Sequence, residues 1–151
     1  MAPEAGQGSM RLMTEELPLE QRRKARSGMQ KALGYRSTRW TPEKAVLELD
    51  VDERHLNINE VVHGGIYATL IDEAIGLALC WDGETRTNKP CVTLAMTTEF
   101  LGQPTTKRII ATAWRTGGGG TIMFAKAEVR DSAGELLATG GATYRSFKPR
   151  A

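Results

Sequence analysis

The chain has 151 residues, with 20 Lys and Arg against 18 Asp and Glu, which gives a formal net charge of +2. This balance argues against nucleic acid as the main partner, because phosphate binding needs a basic surface. Apolar residues make up 40% and charged residues 25%, as expected for one domain with one core. The chain shows neither a membrane-spanning apolar stretch nor a secretory signal, so we expect a cytoplasmic protein with no membrane partner.

The two cysteines, Cys80 and Cys91, both lie within apolar runs. We therefore expect two buried free thiols in a reducing compartment, in preference to a disulfide. With only two histidines besides, and no zinc-like spacing, we expect no metal site.

The first third of the chain contains one helix and one strand by pattern. Residues 1–12 are small, polar and Gly-rich and predict a disordered tail, so that residues 13–151 form the single domain. A helix is predicted over residues 18–33, and apolar-polar alternation predicts an edge strand over residues 44–51. Four basic residues are interpreted as the solvated face of that helix: Arg22, Arg23, Lys24 and Arg26.

Residues 66–81 are apolar on nearly every side, which is typical of a helix in the middle of a fold. Two adjacent carboxylates, Asp72 and Glu73, nevertheless lie within this segment. An ionised carboxylate is costly in apolar surroundings, so we interpret Asp72 as a functional group. Glu73 points about 100° away around the helix and is assigned to a rim or to an ion pair at an interface.

His63-Gly64-Gly65 opens this helix. Two glycines at a helix start leave backbone N–H groups free at the positive end of the helix dipole. Such groups can polarise a carbonyl oxygen and stabilise an oxyanion. The candidate functional residues from the sequence are therefore Asn57, His63, Gly64, Gly65 and Asp72.

The remainder of the chain is rich in Val, Ile, Thr and aromatic residues. Four strands are predicted, over residues 91–100, 108–115, 121–130 and 135–147, with short turns that favour an antiparallel meander. Gly117 to Gly120 links two of these strands and leads into no helix, so we predict a flexible hairpin turn and not a phosphate loop. The simplest arrangement is an α+β fold in which a curved antiparallel sheet wraps around the central helix.

The segment Val62-His63-Gly64-Gly65, with Asp72 nine residues after His63, resembles the HGG…D signature of hotdog-fold acyl-CoA thioesterases of the phenylacetate-degradation (PaaI) type. The resemblance continues through Thr93 to Leu101 and through the last two predicted strands, and it covers about residues 44–147. It implies a hotdog fold, with a central helix from about Gly64 to Trp81 wrapped by five or six strands.

The resemblance also implies hydrolysis of an acyl-CoA thioester to a free acid and coenzyme A. Asp72 would be the nucleophile or the general base, and Thr93 would assist it. The backbone N–H of Gly64 would polarise the thioester carbonyl. Asn57 would orient the water or the thioester, and His63 would act close to it. No cofactor is implied, because coenzyme A is part of the substrate.

The sequence leaves the acyl group open. Three apolar side chains are expected near it, with Gly65 at the helix start: Tyr67, Met96 and Trp81. Three basic residues near the C-terminus are candidates for binding the coenzyme A phosphates: Arg145, Lys148 and Arg150.

Gly64 and Asp72 lie eight residues apart, which is about 12 Å along one helix. Both cannot act on one carbonyl group from a single straight helix. Two antiparallel copies of the helix would bring them together, and the small residues Ala68 and Gly76 would allow that approach. The resemblance also implies a homodimer, often with paired dimers forming a homotetramer.

Two other functions remain open from the sequence. One is another hotdog enzyme acting on acyl-CoA, such as a hydratase, which would need His63 and a carboxylate acting together. The other is a non-catalytic acyl-CoA-binding module, which would bind without turnover and would not need Asp72.

Overall fold

The computed structural model of the protein describes residues 27–80 and 90–147. These residues form two α-helices, one 3-10 helix and six strands. In chain order they are α1 Gly28–Leu33, β1 Arg36–Trp40, β2 Ala45–Asp50, the 3-10 helix Glu53–His55, α2 Gly64–Leu79, β3 Cys91–Phe100, β4 Arg108–Gly118, β5 Ile122–Asp131 and β6 Leu136–Ser146. The predictions for the N-terminal tail, the basic cluster at 22–26, Trp81, Lys148 and Arg150 lie outside the described residues.

The helix α2 forms the centre of the core. Its buried side chains cover most of the helix surface, the face with Thr69, Asp72 and Gly76 is only half-buried, and the helix packs against five of the six strands, β2 to β6. Alternate side chains of β2, β4 and β5 are buried against it, as period-two patterning requires. The predicted α+β architecture, a curved antiparallel sheet around one long helix, is confirmed. None of the described helices is long and apolar enough to cross a membrane.

The strand order is β1-β2-β4-β5-β6-β3, with every neighbouring pair antiparallel. The predicted four-stranded meander is therefore wrong: β4, β5 and β6 are consecutive hairpins, but β3 pairs with β6 at the far edge. The reason is that α2 carries the chain across the sheet, and residues 101–107 carry it back. Three strand spacings are about 14 Å, which seven extended residues can span.

Asp131 fastens this crossover to the sheet. Its carboxylate accepts hydrogen bonds from the Thr105 N–H and hydroxyl, at 2.8 and 2.7 Å. It also accepts from the N–H groups of Ala133 and Glu135, both at 3.0 Å, which holds the β5–β6 turn. The Thr105 hydroxyl and these N–H donors lower the pKa of Asp131 to about 2.

The structure adds a strand that the sequence pattern does not predict. The strand β1 has a single buried side chain, Trp40, and no apolar alternation. Its pairing with β2 and the ion pairs of Arg36 with Glu48 and Asp50, both at 3.0 Å, fix it in place. The strand predicted at the edge, over residues 44–51, is β2 in the structure and is therefore not the edge of the sheet.

The predicted helix over 18–33 ends at Leu33 as expected, but it does not run through Ser27. The Ser27 backbone is extended, and its hydroxyl accepts a hydrogen bond from the Gln30 N–H, so Ser27 is the N-cap of α1. The α1 helix is therefore short and begins at Gly28.

Cys80 and Cys91 form a disulfide, so the prediction of two free thiols is wrong. Cys80 caps the C-terminal end of α2, and Cys91 begins β3. Their Cα atoms are 6.6 Å apart, within the range that a disulfide bridges. The α2 helix ends at Leu79, two residues before the predicted end.

The predicted hairpin turn at Gly117 to Gly120 is confirmed between β4 and β5. The Arg115 side chain closes it by donating to the carbonyl oxygens of Gly117, Gly118 and Gly119, at 3.1, 2.9 and 2.7 Å. Gly118 has φ +94, and a Cβ there would collide with the Ile122 carbonyl oxygen. Glycine is therefore required at position 118 for steric reasons.

Candidate active site

Asp72 lies in the middle of α2, and one of its two carboxylate oxygens is tightly held. Oδ1 accepts hydrogen bonds from Thr93 Oγ1 at 2.7 Å and from Tyr144 Oη at 2.6 Å. Tyr144 Oη also lies 2.7 Å from the Asp72 carbonyl oxygen. Within residues 27–80 and 90–147 nothing donates to Oδ2. The carboxylate is thus fixed through one oxygen, and the other is free to react.

The two hydroxyl groups reach Asp72 because their strands are neighbours. Thr93 on β3 pairs directly with Tyr144 on β6, so both side chains point to the same face of the sheet. Gly76, one turn after Asp72, leaves room for the tyrosine: a Cβ there would lie 3.4 Å from Tyr144 Oη. We expected Gly76 to admit the helix of a second copy, whereas it admits Tyr144 of its own chain.

Asp72 lines an open cavity of about 620 Å³. The other walls are mainly apolar and come from the end of α2, the start of β3 and the end of β6; they include Leu77, Cys80, Cys91, Val92 and Phe147. A largely apolar cavity with a few polar groups is typical of sites for small organic molecules. This cavity therefore suits an apolar group whose reactive end meets the Asp72 carboxylate.

Glu73 lines the same cavity but differs from Asp72 in its surroundings. Burial, and then the negative charge of Asp72, raise the pKa of Glu73, while the Tyr35 hydroxyl partly opposes this shift. None of the ion pairs between described residues includes Glu73. The Asp72 carboxylate is held by two hydroxyl donors, whereas burial is the main influence on the Glu73 carboxylate.

The N-terminal end of α2 carries the predicted oxyanion site. His63 is the N-cap: its Nδ1 accepts a hydrogen bond from the Gly65 N–H at 2.8 Å. The expectation that both glycines present free N–H groups is thus wrong for Gly65. The Gly64 N–H makes no hydrogen bond with any described residue. Because Nδ1 is an acceptor here, the neutral His63 ring carries its proton on Nε2, which makes Nε2 a donor.

Asn57 closes the loop that leads into α2. Its Oδ1 accepts from the N–H groups of Asn59 and Val61, at 2.9 and 3.4 Å. In the described part of the chain its Nδ2 donates to no other group. The second histidine, His55, is fully buried between Leu33 and the Asp52 N–H and has a structural role.

Tyr67 and Met96 do not line the Asp72 cavity. Tyr67 is buried, with its ring 6.4 Å from that of Phe100 and its hydroxyl 3.3 Å from the Gly102 carbonyl oxygen. Met96 is partly buried against the core. Phe100 in turn lies against the helix start, since a Cβ on Gly64 would be 3.3 Å from its ring. Tyr67 thus belongs to the Gly64 end of α2.

The remaining predictions are the phosphate-binding group and the absence of a metal site. Arg145, the one described member of the proposed phosphate-binding group, is exposed on β6. No group of three or more His, Cys, Asp and Glu side chains that could hold a metal ion occurs among residues 27–80 and 90–147.

Within one chain, the two halves of the candidate site lie far apart. The free donors lie at the start of α2, and the free carboxylate oxygen lies eight residues later in the same uninterrupted helix. That separation is about 12 Å along the axis. A thioester carbonyl bound at one half is therefore out of reach of the other half in the same chain.

The sequence model of the Thioesterase superfamily matches residues 59–138, which include α2 and β3 to β5. The chain belongs to this superfamily, and its fold is the hotdog fold of the PaaI type. Mouse acyl-coenzyme A thioesterase 13 is 32% identical over 101 residues, which cover 66% of this chain and 70% of that protein.

Solved structures are similar over most of the chain. Zebra fish thioesterase superfamily member 2 is 28% identical with a TM-score of 0.72, covering 83% of this chain and 92% of that one. A mutant of the phenylacetic acid degradation protein PaaI from Thermus thermophilus is 25% identical with a TM-score of 0.69. That match covers 80% of this chain and 100% of that one.

Proposed function

We propose that this protein hydrolyses an acyl-CoA thioester to a carboxylic acid and free coenzyme A. The observation that carries the proposal is the Asp72 carboxylate, which lines a largely apolar cavity and is held through Oδ1 by two hydroxyl groups, while no described residue donates to Oδ2. Membership of the thioesterase superfamily and the similarity to a protein named as an acyl-coenzyme A thioesterase support this class of substrate.

A carboxylate and an oxyanion donor are a sufficient catalytic set for a thioester, which is already reactive. A carboxylate can cleave it by deprotonating water or by attacking the carbonyl carbon, and both routes use an oriented, free oxygen such as Oδ2. The Gly64 N–H stabilises the oxyanion that forms on the carbonyl oxygen. The C–S bond then breaks, and the thiolate leaves as coenzyme A. When water attacks, the free acid forms directly; when Oδ2 attacks, the acyl group stays on Asp72 as an anhydride, which a water molecule then hydrolyses to the free acid and the carboxylate.

The proposal requires the two halves of the site to come from two copies of the chain. The strand β3 lies at the edge of the sheet and exposes apolar side chains. Val92, 47% exposed, lines the Asp72 cavity, while Phe100, 56% exposed, lies against Gly64. Two copies with antiparallel helices would cover these exposed side chains of β3. The same arrangement would bring Gly64 of each copy close to Asp72 of the other and give two equivalent sites.

Thiol release is the measurement that tests the proposed activity. We expect release from saturated and aromatic acyl-CoA substrates of graded size, which a hydratase cannot produce from a saturated acyl group. Asp72→Asn keeps the shape and removes the charge, and it lowers turnover by roughly two orders of magnitude or more. Glu73→Gln, the matched control, lowers turnover much less.

Three results would contradict parts of this proposal. Tight binding of acyl-CoA without release of thiol would indicate a binding module. A nearly normal Asp72→Asn variant beside an inactive Glu73→Gln variant would show that Glu73, and not Asp72, is the reacting carboxylate. Hydration of an unsaturated acyl-CoA without thiol release would indicate the hydratase.

A further inference from the structure

We infer that Tyr144 is a positioning residue for Asp72, because it holds Oδ1 in place and thereby makes Oδ2 the reactive oxygen. The inference rests on the proposed function and deepens it. It assigns a role to a side chain 72 positions from the carboxylate.

The contact has the geometry of a charge-assisted hydrogen bond. Tyr144 Oη lies 2.6 Å from Asp72 Oδ1, within the short range typical of a hydroxyl bound to a carboxylate. Burial, and then the bond to Asp72, raise the pKa of Tyr144, so the phenol keeps its proton and acts as a donor. An ionised Asp72 is thus matched by a hydroxyl that remains protonated.

Tyr144 is anchored more firmly than Thr93, the other donor. Its backbone lies in β6 between two partner strands, opposite Met123 on one side and Thr93 on the other. Its side chain is only 4% exposed and packs against α2 at Gly76. Thr93 instead lies on the edge strand β3, next to a register shift between Thr93 and Ala95. Of the two donors to Asp72, Tyr144 is therefore the more rigidly held.

Two donors on one oxygen restrict the carboxylate more than one donor does. With Thr93 alone, the carboxylate can rotate about that single bond and exchange which oxygen faces the cavity. With both donors present, Oδ1 is held by hydroxyl groups from two paired strands, and Oδ2 accepts no hydrogen bond from any described residue. Small errors in the placement of a reacting oxygen have large effects on rate, so the orientation has a kinetic consequence.

The Tyr144→Phe variant separates the hydroxyl from the ring, because it keeps the packing against α2. We expect kcat to fall by about 10- to 100-fold, as for loss of a hydrogen bond to a charged group, while KM changes by about threefold or less.

Thr98→Val is the matched control. Thr98 lies on β3 and carries a buried hydroxyl that has no hydrogen-bond partner among the described residues. Its loss should leave kcat as in the wild type. In an Asp72→Asn background, Tyr144→Phe should have no further effect on the remaining turnover, since it acts through Asp72.

Infrared spectroscopy gives a readout that needs no turnover. The carboxylate band of Asp72 is identified as the difference between wild type and Asp72→Asn, and its position reports the hydrogen bonds to the two oxygens. We expect Tyr144→Phe to move this band and Thr98→Val to leave it unchanged. If the wild type releases no thiol from any acyl-CoA, the proposed function fails, and this band alone decides the role of Tyr144.

Unchanged kcat and an unchanged carboxylate band in a folded Tyr144→Phe protein would overturn the inference and leave Tyr144 as a core residue. If Tyr144→Phe does not fold, Thr93→Val in the same infrared experiment tests the two-donor arrangement. An unmoved band in that variant would also count against the inference.

Discussion

The two ends of the candidate site are built in different ways. At the start of α2, the donors lie within a segment of nine residues, Asn57 to Gly65, and hydrogen bonds within that segment shape it. At the middle of α2, Asp72 is held by side chains that are 21 and 72 positions away, on two paired strands. The donor end is thus mainly a local loop structure, tied to the rest of the chain where the Gln103 side chain bonds the Val62 N–H and carbonyl, whereas the acceptor end depends on the sheet.

This difference separates two kinds of perturbation. A change at the donor end acts on one N–H group or one cap and leaves the sheet intact. A change at the acceptor end acts through the register of β3 against β6. Variants at each end can therefore be paired with controls that keep everything except the group in question.

The largest effect is expected at the Gly64 N–H. Gly64 is the first residue of α2, where proline is tolerated, and His63 before it is already extended, as a residue preceding proline prefers. Gly64→Pro therefore removes the free N–H and keeps the helix. We expect thiol release to fall by roughly 10²- to 10³-fold, as for loss of one oxyanion donor.

Gly64→Ala is the control for that variant, because it adds a Cβ against Phe100 and keeps the N–H. We expect it to retain most of the activity. Equal losses in the two variants would show that the crowding against Phe100, and not the missing N–H, lowers the rate.

A smaller effect is expected at Thr93 on the acceptor end. Thr93→Val is nearly isosteric and removes one of the two donors to Asp72 Oδ1. We expect kcat to fall by about tenfold, with thermal stability close to that of Thr98→Val, which lies on the same strand. The steady-state rates and melting temperatures of the two variants provide the comparison. A similar loss of rate in Thr98→Val would indicate a general effect of β3 and not a role for the Thr93 hydroxyl.

The smallest effect concerns the cap at His63. His63→Ala removes the acceptor of the Gly65 N–H and should lower the free energy of unfolding by about 1 kcal/mol. His63→Asn supplies another capping side chain and should restore most of that loss. If denaturation curves show the restored stability but thiol release stays low, the ring acts on the substrate beyond its role as a cap.

Much of the donor end could be predicted from the sequence, because its residues are close together in the chain. The glycine pair, His63 and the central apolar helix were all identified by spacing and composition. A capping role for His63 is compatible with its place just before the helix, but the order of residues does not show that its ring accepts the Gly65 N–H and so removes one of the two expected free donors.

The acceptor end could be predicted only in part. Asp72 stands out as a carboxylate in an apolar helix, and Thr93 followed from the resemblance to a known family. Tyr144 was missed because it reaches Asp72 only when β3 pairs with β6. The predicted meander would pair β3 with β4 instead, so Thr93 and Tyr144 would not face each other. The Cys80–Cys91 disulfide was missed for another reason: the apolar surroundings of both cysteines favoured free thiols, and the approach of β3 to the end of α2 is visible only in the fold.

The central claim is that one copy supplies the donor end and the other copy the acceptor end of each site. Mixing Asp72→Asn with Gly64→Pro tests it most directly, under conditions where subunit exchange is shown independently by mass spectrometry. With random exchange at equal amounts, half of the dimers are mixed and each has one intact site of two, so about a quarter of the wild-type activity should return. Demonstrated exchange with no recovered activity would contradict the shared site and place both ends in one chain.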